Sequence, residues 1–169
     1  NLQKELKKNC HYKMENFWSF EEFLKISSKF NLPKPKIITA IGMFYDLEDP
    51  NKFIRDAALS LDDEGIFIAQ LMCLKSMVSQ NDIGNICHEH IEFYSLKSLK
   101  FLFETNGFEI FRIEENELNG GSFRIYCRKY KTGSIKFPYE NVKEMMKSFV
   151  KRAKLNKKRT IGFLNKKKY

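Results

Sequence analysis

The chain has 169 residues, 43% of them hydrophobic with 16 phenylalanines, and a formal net charge of +9. Its length fits one domain, or a domain with a tail, and its apolar content excludes a disordered chain. The charge excludes less than it promises, because residues 143–169 hold 11 Lys/Arg against the single acid Glu144, leaving the first 142 residues close to neutral with 19 basic and 20 acidic groups.

The first predicted element follows Ser19, where Phe20, Phe23, Leu24 and Ile26 make a helical stripe and Ser19-Phe-Glu-Glu22 reads as a capping box. "NLPKP" ends it, since proline removes a donor and restricts its neighbour. Lys36–Phe44, "KIITAIGMF", is a β-branched apolar run of the kind found in a buried parallel strand. Asp49 as N-cap and Pro50 at the first position then open a helix whose buried face is Phe53, Ile54, Ala57, Ala58 and Leu61, closed by Gly65. Ile66–Met72, "IFIAQLM", is a second buried strand, and strand–helix–strand at this spacing makes the two strands parallel neighbours.

Cys73–Phe93 reads as an irregular stretch. Ser95 caps a helix with Leu96, Leu99, Phe101, Leu102 and Phe103 largely inward and Gly107 as its stop. Phe108–Glu117 and Gly121–Lys129 alternate as strands, and "LNGG" joins them tightly, so they pair antiparallel. The expected fold is α/β, with parallel strands ending in an antiparallel hairpin. A linker then leads to a basic amphipathic helix from Tyr139 to about Lys157 and a Lys-rich tail. A solvated or electrostatically sticky run is expected there, meeting nucleic acid only nonspecifically, because the aromatics available for stacking are Phe149, Phe163 and Tyr169.

No apolar run reaches the roughly 18–20 residues of a membrane span, and the charged start "NLQKELKKNC" lacks an apolar signal region. Cys10, Cys73, Cys87 and Cys127 form no C-x-x-C pair. The expectation is a cytoplasmic protein with reduced cysteines and no membrane partner. Asn1 in place of Met suggests a chain that begins partway through something longer.

Two of the three histidines flank a glutamate in "NICHEHIEFYSLKSL" (Asn85 to Leu99). The motif follows a parallel strand, and ligands of open parallel sheets bind beyond the strands' carboxyl ends. Three readings compete. As metal ligands, His88 and His90 lack the further ligands that a zinc site needs, so no metal is expected. As acid–base groups, one imidazole takes a proton near neutral pH while Glu89 orients substrate. As structure, the triplet pins a loop.

"KIITAIGMFYDLEDPNKFI", "ICHEHIEFYSLKSLKFLFETNGFEI" and "NGGSFRIY", in this order and spacing, resemble class I S-adenosylmethionine-dependent methyltransferases. They are most similar to the sugar C-methyltransferase family, in which an H-E-H segment follows the fifth strand and a G-G-S turn joins the last two. The likeness runs over roughly residues 14–130. It implies a partial Rossmann-like sheet and S-adenosylmethionine as cofactor. The reaction implied is methylation of a carbon beside the ketone of a nucleotide-linked sugar. The resemblance makes His90 the general base, with His88 and Glu89 positioning the sugar and tuning that base. Tyr94 and Asn119 become substrate contacts and donors to an enolate. Cys87 stands where many relatives have Tyr, and Asn119 where many have His. Thr39, Ala40, Ile41 and Met43 correspond to the fourth strand's carboxyl edge and become cofactor contacts, with plain strand core as the competing reading.

The chain departs from that family in three ways. It contains no G-x-G turn, no cysteine-rich zinc domain precedes the likeness, and the C-terminal domain breaks off near "KRTIGFLNKKKY". Residues 1–130 are then the later portion of a catalytic domain, and 131–169 a linker with the basic start of a further domain. A sheet without its first two strands should expose an apolar edge and half a pocket. The missing half, as a separate chain or a covalent one, is an expected partner beside the sugar substrate. The alternative is a non-catalytic remnant or interaction module whose basic tail binds an acidic partner.

Overall fold

A computed structural model describes residues 9–138 and 140–167; the Asn119 side chain is also outside the described set. Four strands, β1 (Ile37–Ile41), β2 (Ile66–Met72), β3 (Phe108–Asn116) and β4 (Ser122–Lys129), form one sheet in the order β1-β2-β4-β3. β1 and β2 are parallel, with Thr39 opposite Ile68. β4 runs antiparallel to both β2 and β3, pairing Ala69 with Ile125 and Ile113 with Ile125 on its two sides. The expected mixed sheet is therefore present, and the last strand is inserted beside β2 instead of lying at the edge.

The helices that lie wholly among the described residues are α1 (Phe20–Phe30), α2 (Pro50–Ser60), α3 (Leu74–Gln80), α4 (Leu96–Thr105) and α5 (Val142–Lys166). Local chemistry explains their starts. Ser19, Asp49 and Ser95 each accept the backbone N–H three residues on, at 3.2, 2.9 and 3.2 Å. At α1 the box is only half made, because Glu22 turns to Asn16 and Lys25 instead of reaching back. At α4 it closes, since the Ser95 N–H donates to Ser98 Oγ at 3.0 Å and Leu96 N–H adds a bond to Glu140. Ser95→Ala should cost about 1 kcal/mol, read as a lower urea midpoint at unchanged slope.

The core lies on one side of the sheet. Phe67, Ala69 and Leu71 of β2 and Phe123, Ile125 and Cys127 of β4 are at most 1% exposed. They meet Ile54 and Ala57 of α2 and Leu99 and Phe103 of α4 in a single apolar cluster. Phe67 sits between Phe103 and Phe108, with ring centroids 5.7 and 5.5 Å apart. Asn106, buried beyond α4, donates to Asn51 and to Leu102 O and accepts from Arg55, which ties the ends of α2 and α4 together.

Four expectations need correction. β1 is an edge strand of the described sheet, with Ile37 and Ile41 61% and 51% exposed, because a strand is buried on both sides only where a second neighbour covers it. That is the exposed apolar edge anticipated above. Phe101 points to solvent at 70% exposure, two positions off the Leu99–Leu102–Phe103 face. The stretch after Cys73 is not irregular throughout, since α3 fills residues 74–80. Its Leu74, Met77 and Val78 are buried against Phe149 of α5, a helix that continues to Lys166 rather than ending near Lys157. Tyr139, where that helix was expected to start, falls outside the described residues; its cap is Asn141, which accepts from Glu144 N–H. No helix among the described residues is long and apolar enough to cross a membrane.

Candidate active site

Because β1 and β2 are parallel, both hand the chain to a turn at the same edge of the sheet. After β1, Gly42 (φ +66°) bends the chain and donates to Gln70 O at 3.0 Å, leading into a short 3-10 turn over Phe44–Asp46. A side chain at that φ would be strained, so Gly42 serves the bend. After β2 comes α3, closed by Asn81 in the left-handed conformation, then the loop carrying the H-E-H motif. The N–H groups of Ile91 and Glu92 both donate to Tyr45 O, at 3.2 and 3.1 Å, locking the two turns together.

A cavity of about 400 Å³ opens there, lined by Tyr45, Met72, Asp82, Gly84, Asn85 and His90. The His90 ring meets Tyr45 edge-on, with centroids 4.7 Å apart. Its Nδ1 lies 2.9 Å from Asn85 O. A carbonyl oxygen can only accept, so Nδ1 carries the proton and the lone pair of the neutral ring resides on Nε2. That is the tautomer a base acting through Nε2 requires.

The structure separates His90 from its neighbours in the motif. His88 and Glu89 side chains are 91% and 73% exposed, sit 3.9 Å from each other, and line no part of the cavity. Cys87 is half-buried, and its carbonyl accepts the His90 N–H at 3.3 Å. Tyr94 is 6% exposed and packs on Phe44, its hydroxyl enclosed without a partner among the described residues. Burial, and then the nearby Glu92 charge, push its pKa up, so it stays a neutral phenol. Asn119 belongs to the short turn Leu118–Gly120. Among the described residues no group of three or more His, Cys, Asp or Glu is placed to hold a metal ion.

Thr39, Ala40, Ile41 and Met43 do come together, along one open crevice of about 570 Å³ whose other walls include Trp18, Phe23 and Phe53. Ala40 is also core, at 3% exposure, while Ile41 is half exposed. Residues that sequence reasoning missed are Tyr45, Asp82 and Asn85. The cluster "NDIGN" (Asn81–Asn85) is rich in turn formers and was the available signal that this loop has a set shape.

The family described as "Methyltransferase domain" matches residues 4–113. The C-methyltransferase NovU of Streptomyces niveus is 26% identical over 84 residues, which is 50% of this chain and 20% of NovU. Among solved structures, LaPhzM superposes at a TM-score of 0.51 and 15% identity, over 75% of this chain and 38% of its own. The magnesium protoporphyrin IX methyltransferase ChlM of Synechocystis PCC 6803, solved with bound SAH, gives a TM-score of 0.47 at 14% identity, over 76% and 57%. The chain thus spans about a fifth of the length of the curated relative that it matches. With parallel strands closed by a reversed last strand, and with a family match over most of its length, the chain belongs to the methyltransferase-domain family and has part of the class I methyltransferase sheet.

Proposed function

We propose that this chain forms the base-bearing part of an S-adenosylmethionine-dependent C-methyltransferase acting on a nucleotide-activated keto sugar, with His90 as general base. The observation that carries the reading is His90 in a cavity at the strands' carboxyl ends, with its Nδ1 2.9 Å from the Asn85 carbonyl oxygen. The similarity to NovU, named a C-methyltransferase, supports transfer to carbon.

Carbon methylation beside a ketone needs a proton removed first. Nε2 of His90 takes that proton, and the C–H bond pair moves into the adjoining C–C bond as the carbonyl π pair shifts to oxygen, giving an enolate with a nucleophilic carbon. Donors to that oxygen are required. Asn119 is the proposed donor, the Tyr94 hydroxyl being enclosed in the core, and Cys87, His88 and Glu89 would meet the more distant part of the substrate.

S-adenosylmethionine supplies an electrophilic methyl group when bound. The crevice beside β1 fits the flat ring of its adenine, because Trp18, Phe23, Ile41, Met43 and Phe53 offer an apolar wall on which such a ring can lie. Thr39 is a polar group on that wall, and among the described residues no charged one lines it. The chain therefore provides one wall of a cofactor site, with the ribose and the amino acid end left to groups beyond it.

Calorimetry with S-adenosylmethionine tests this on the chain alone and on any longer form that contains it. The expected result is weak binding by the chain and firm binding by the longer form. A longer form without affinity would sink the methyltransferase reading, and tight binding by the chain alone would overturn the one-wall assignment.

A further inference from the structure

The two motifs most characteristic of this chain, H-E-H and N-G-G-S, are far apart in sequence and meet in the fold at one carboxylate. Asp82 Oδ1 accepts the Gly84 N–H at 3.0 Å, and Oδ2 accepts Asn85 Nδ2 at 2.7 Å. Its own N–H donates to Met77 O at 2.9 Å, fixing it to the end of α3. Asp82 thereby sets the shape of residues 82–85, and Asn85 O is the atom that receives the His90 Nδ1 proton.

The glycine pair is the seat of this arrangement. Gly120 (φ +77°) lies so close to Asp82 that a Cβ there would stand 2.9 Å from Oδ2. Gly121 (φ +112°) lies against α3, where a Cβ would stand 2.4 Å from Ser76 Cβ. Both need a backbone conformation that other residues rarely adopt, and both leave room that any side chain would fill. The Cys73 N–H donates to Gly121 O at 3.1 Å, so the hairpin turn and the start of α3 are also bonded.

We propose that Asp82, seated on Gly120–Gly121, is the positioning residue for His90: through Asn85 it holds the imidazole in the Nδ1-protonated tautomer and leaves Nε2 available as the base. This rests on the proposed role of His90 for its functional meaning, while the tautomer itself does not. An isolated neutral imidazole exchanges between its two tautomers, so a base committed to Nε2 needs an acceptor held at Nδ1. The Asn85 carbonyl is such an acceptor only while residues 82–85 keep their turn.

The test is the ring-nitrogen NMR spectrum of selectively labelled histidine, recorded on the full chain at a pH well above the ordinary imidazole range. In the unmodified protein, His90 should be protonated on Nδ1, whereas exposed His88 shows the ordinary solution mixture and serves as the internal reference. Asp82→Ala should move the His90 signals toward those of His88. Asp82→Asn retains one carbonyl acceptor and should fall between. A far-UV spectrum and melting curve establish that each variant is folded, and should Asp82→Ala not fold, the comparison passes to Asp82→Asn. Persistence of the Nδ1–H form in folded variants, or an Nε2–H form in the unmodified chain, refutes the positioning role. In a form that transfers methyl groups, the same variants should lower kcat by roughly 10- to 100-fold with KM little changed. Tautomer shifts as expected without methyl transfer in any form would uphold Asp82 and remove the function; methyl transfer with an unmoved tautomer would do the reverse.

Discussion

His90→Ala abolishes methyl transfer and leaves S-adenosylmethionine affinity nearly intact, in whichever form of the protein transfers the group. A positioned base contributes roughly 10²–10⁴-fold, and no other imidazole or carboxylate stands ready to replace it. Asp82, the carboxylate on the cavity wall, already accepts from Gly84 and Asn85. His88 and Glu89 are exposed outside the cavity. The crevice proposed for the cofactor is lined by Thr39, Ala40, Ile41 and Met43, and His90 is absent from its walls, which is why binding should survive. His88→Ala, which removes an exposed ring, should cost far less. Rates and calorimetric affinities of the two variants, with melting curves to show that the loop still folds, make the comparison. Activity surviving in His90→Ala would show the base to be elsewhere.

Glu109→Gln destabilises the fold by about 3 kcal/mol near neutral pH, and the deficit shrinks as the pH is lowered. Glu109 lies on β3 with 0% exposure. Burial by itself would raise its pKa. Against that, the N–H groups of Lys131, Thr132 and Gly133 donate to Oε2 at 3.0, 2.7 and 2.5 Å, and Arg128 Nε donates to Oε1 at 2.6 Å. These donors win and hold the carboxyl at about 2, below its ordinary 4.5. A carboxyl depressed on folding stabilises the protein above its unfolded pKa and loses that contribution as the pH falls through the folded value. The window is therefore about pH 5 down to about pH 2. Glutamine keeps the shape but removes the charge and turns an amide toward four donors. Urea titrations of both proteins across this window measure the difference; a gap independent of pH would mean that shape, not charge, is what matters at this site.

Much of the fold was legible because its causes are local. The caps at Ser19, Asp49 and Ser95 are bonds across three residues, so the sequence window that contains the signal also contains the partner. The parallel pairing of β1 and β2 follows from the handedness of one crossover, and the β3–β4 pairing from a turn too short for anything but a hairpin. α3 was missed because seven residues with three apolar positions are too few to display a period. Its burial comes from Phe149, more than seventy residues on.

The candidate site divides the same way. His90 was found from its motif, and its location follows from being downstream of a parallel strand. Its companions were not legible, since Tyr45 arrives from the other strand's turn and Asp82 acquires its role only when the glycine pair closes against it. Sequence adjacency does not place His88 and Glu89 in the cavity with His90. The chain turns between Cys87 and His90, and neighbouring side chains leave a turn in different directions.

By itself the sequence determined the strands, all the described helices but α3, and the mixed character of the sheet, because periodicity, capping and turn chemistry act within a few residues. Only the tertiary structure decided that Glu109 is held as a buried anion and that two distant motifs share Asp82. Each depends on which donors, acceptors and surfaces meet across the chain, and close packing settles that only when the whole sheet is assembled.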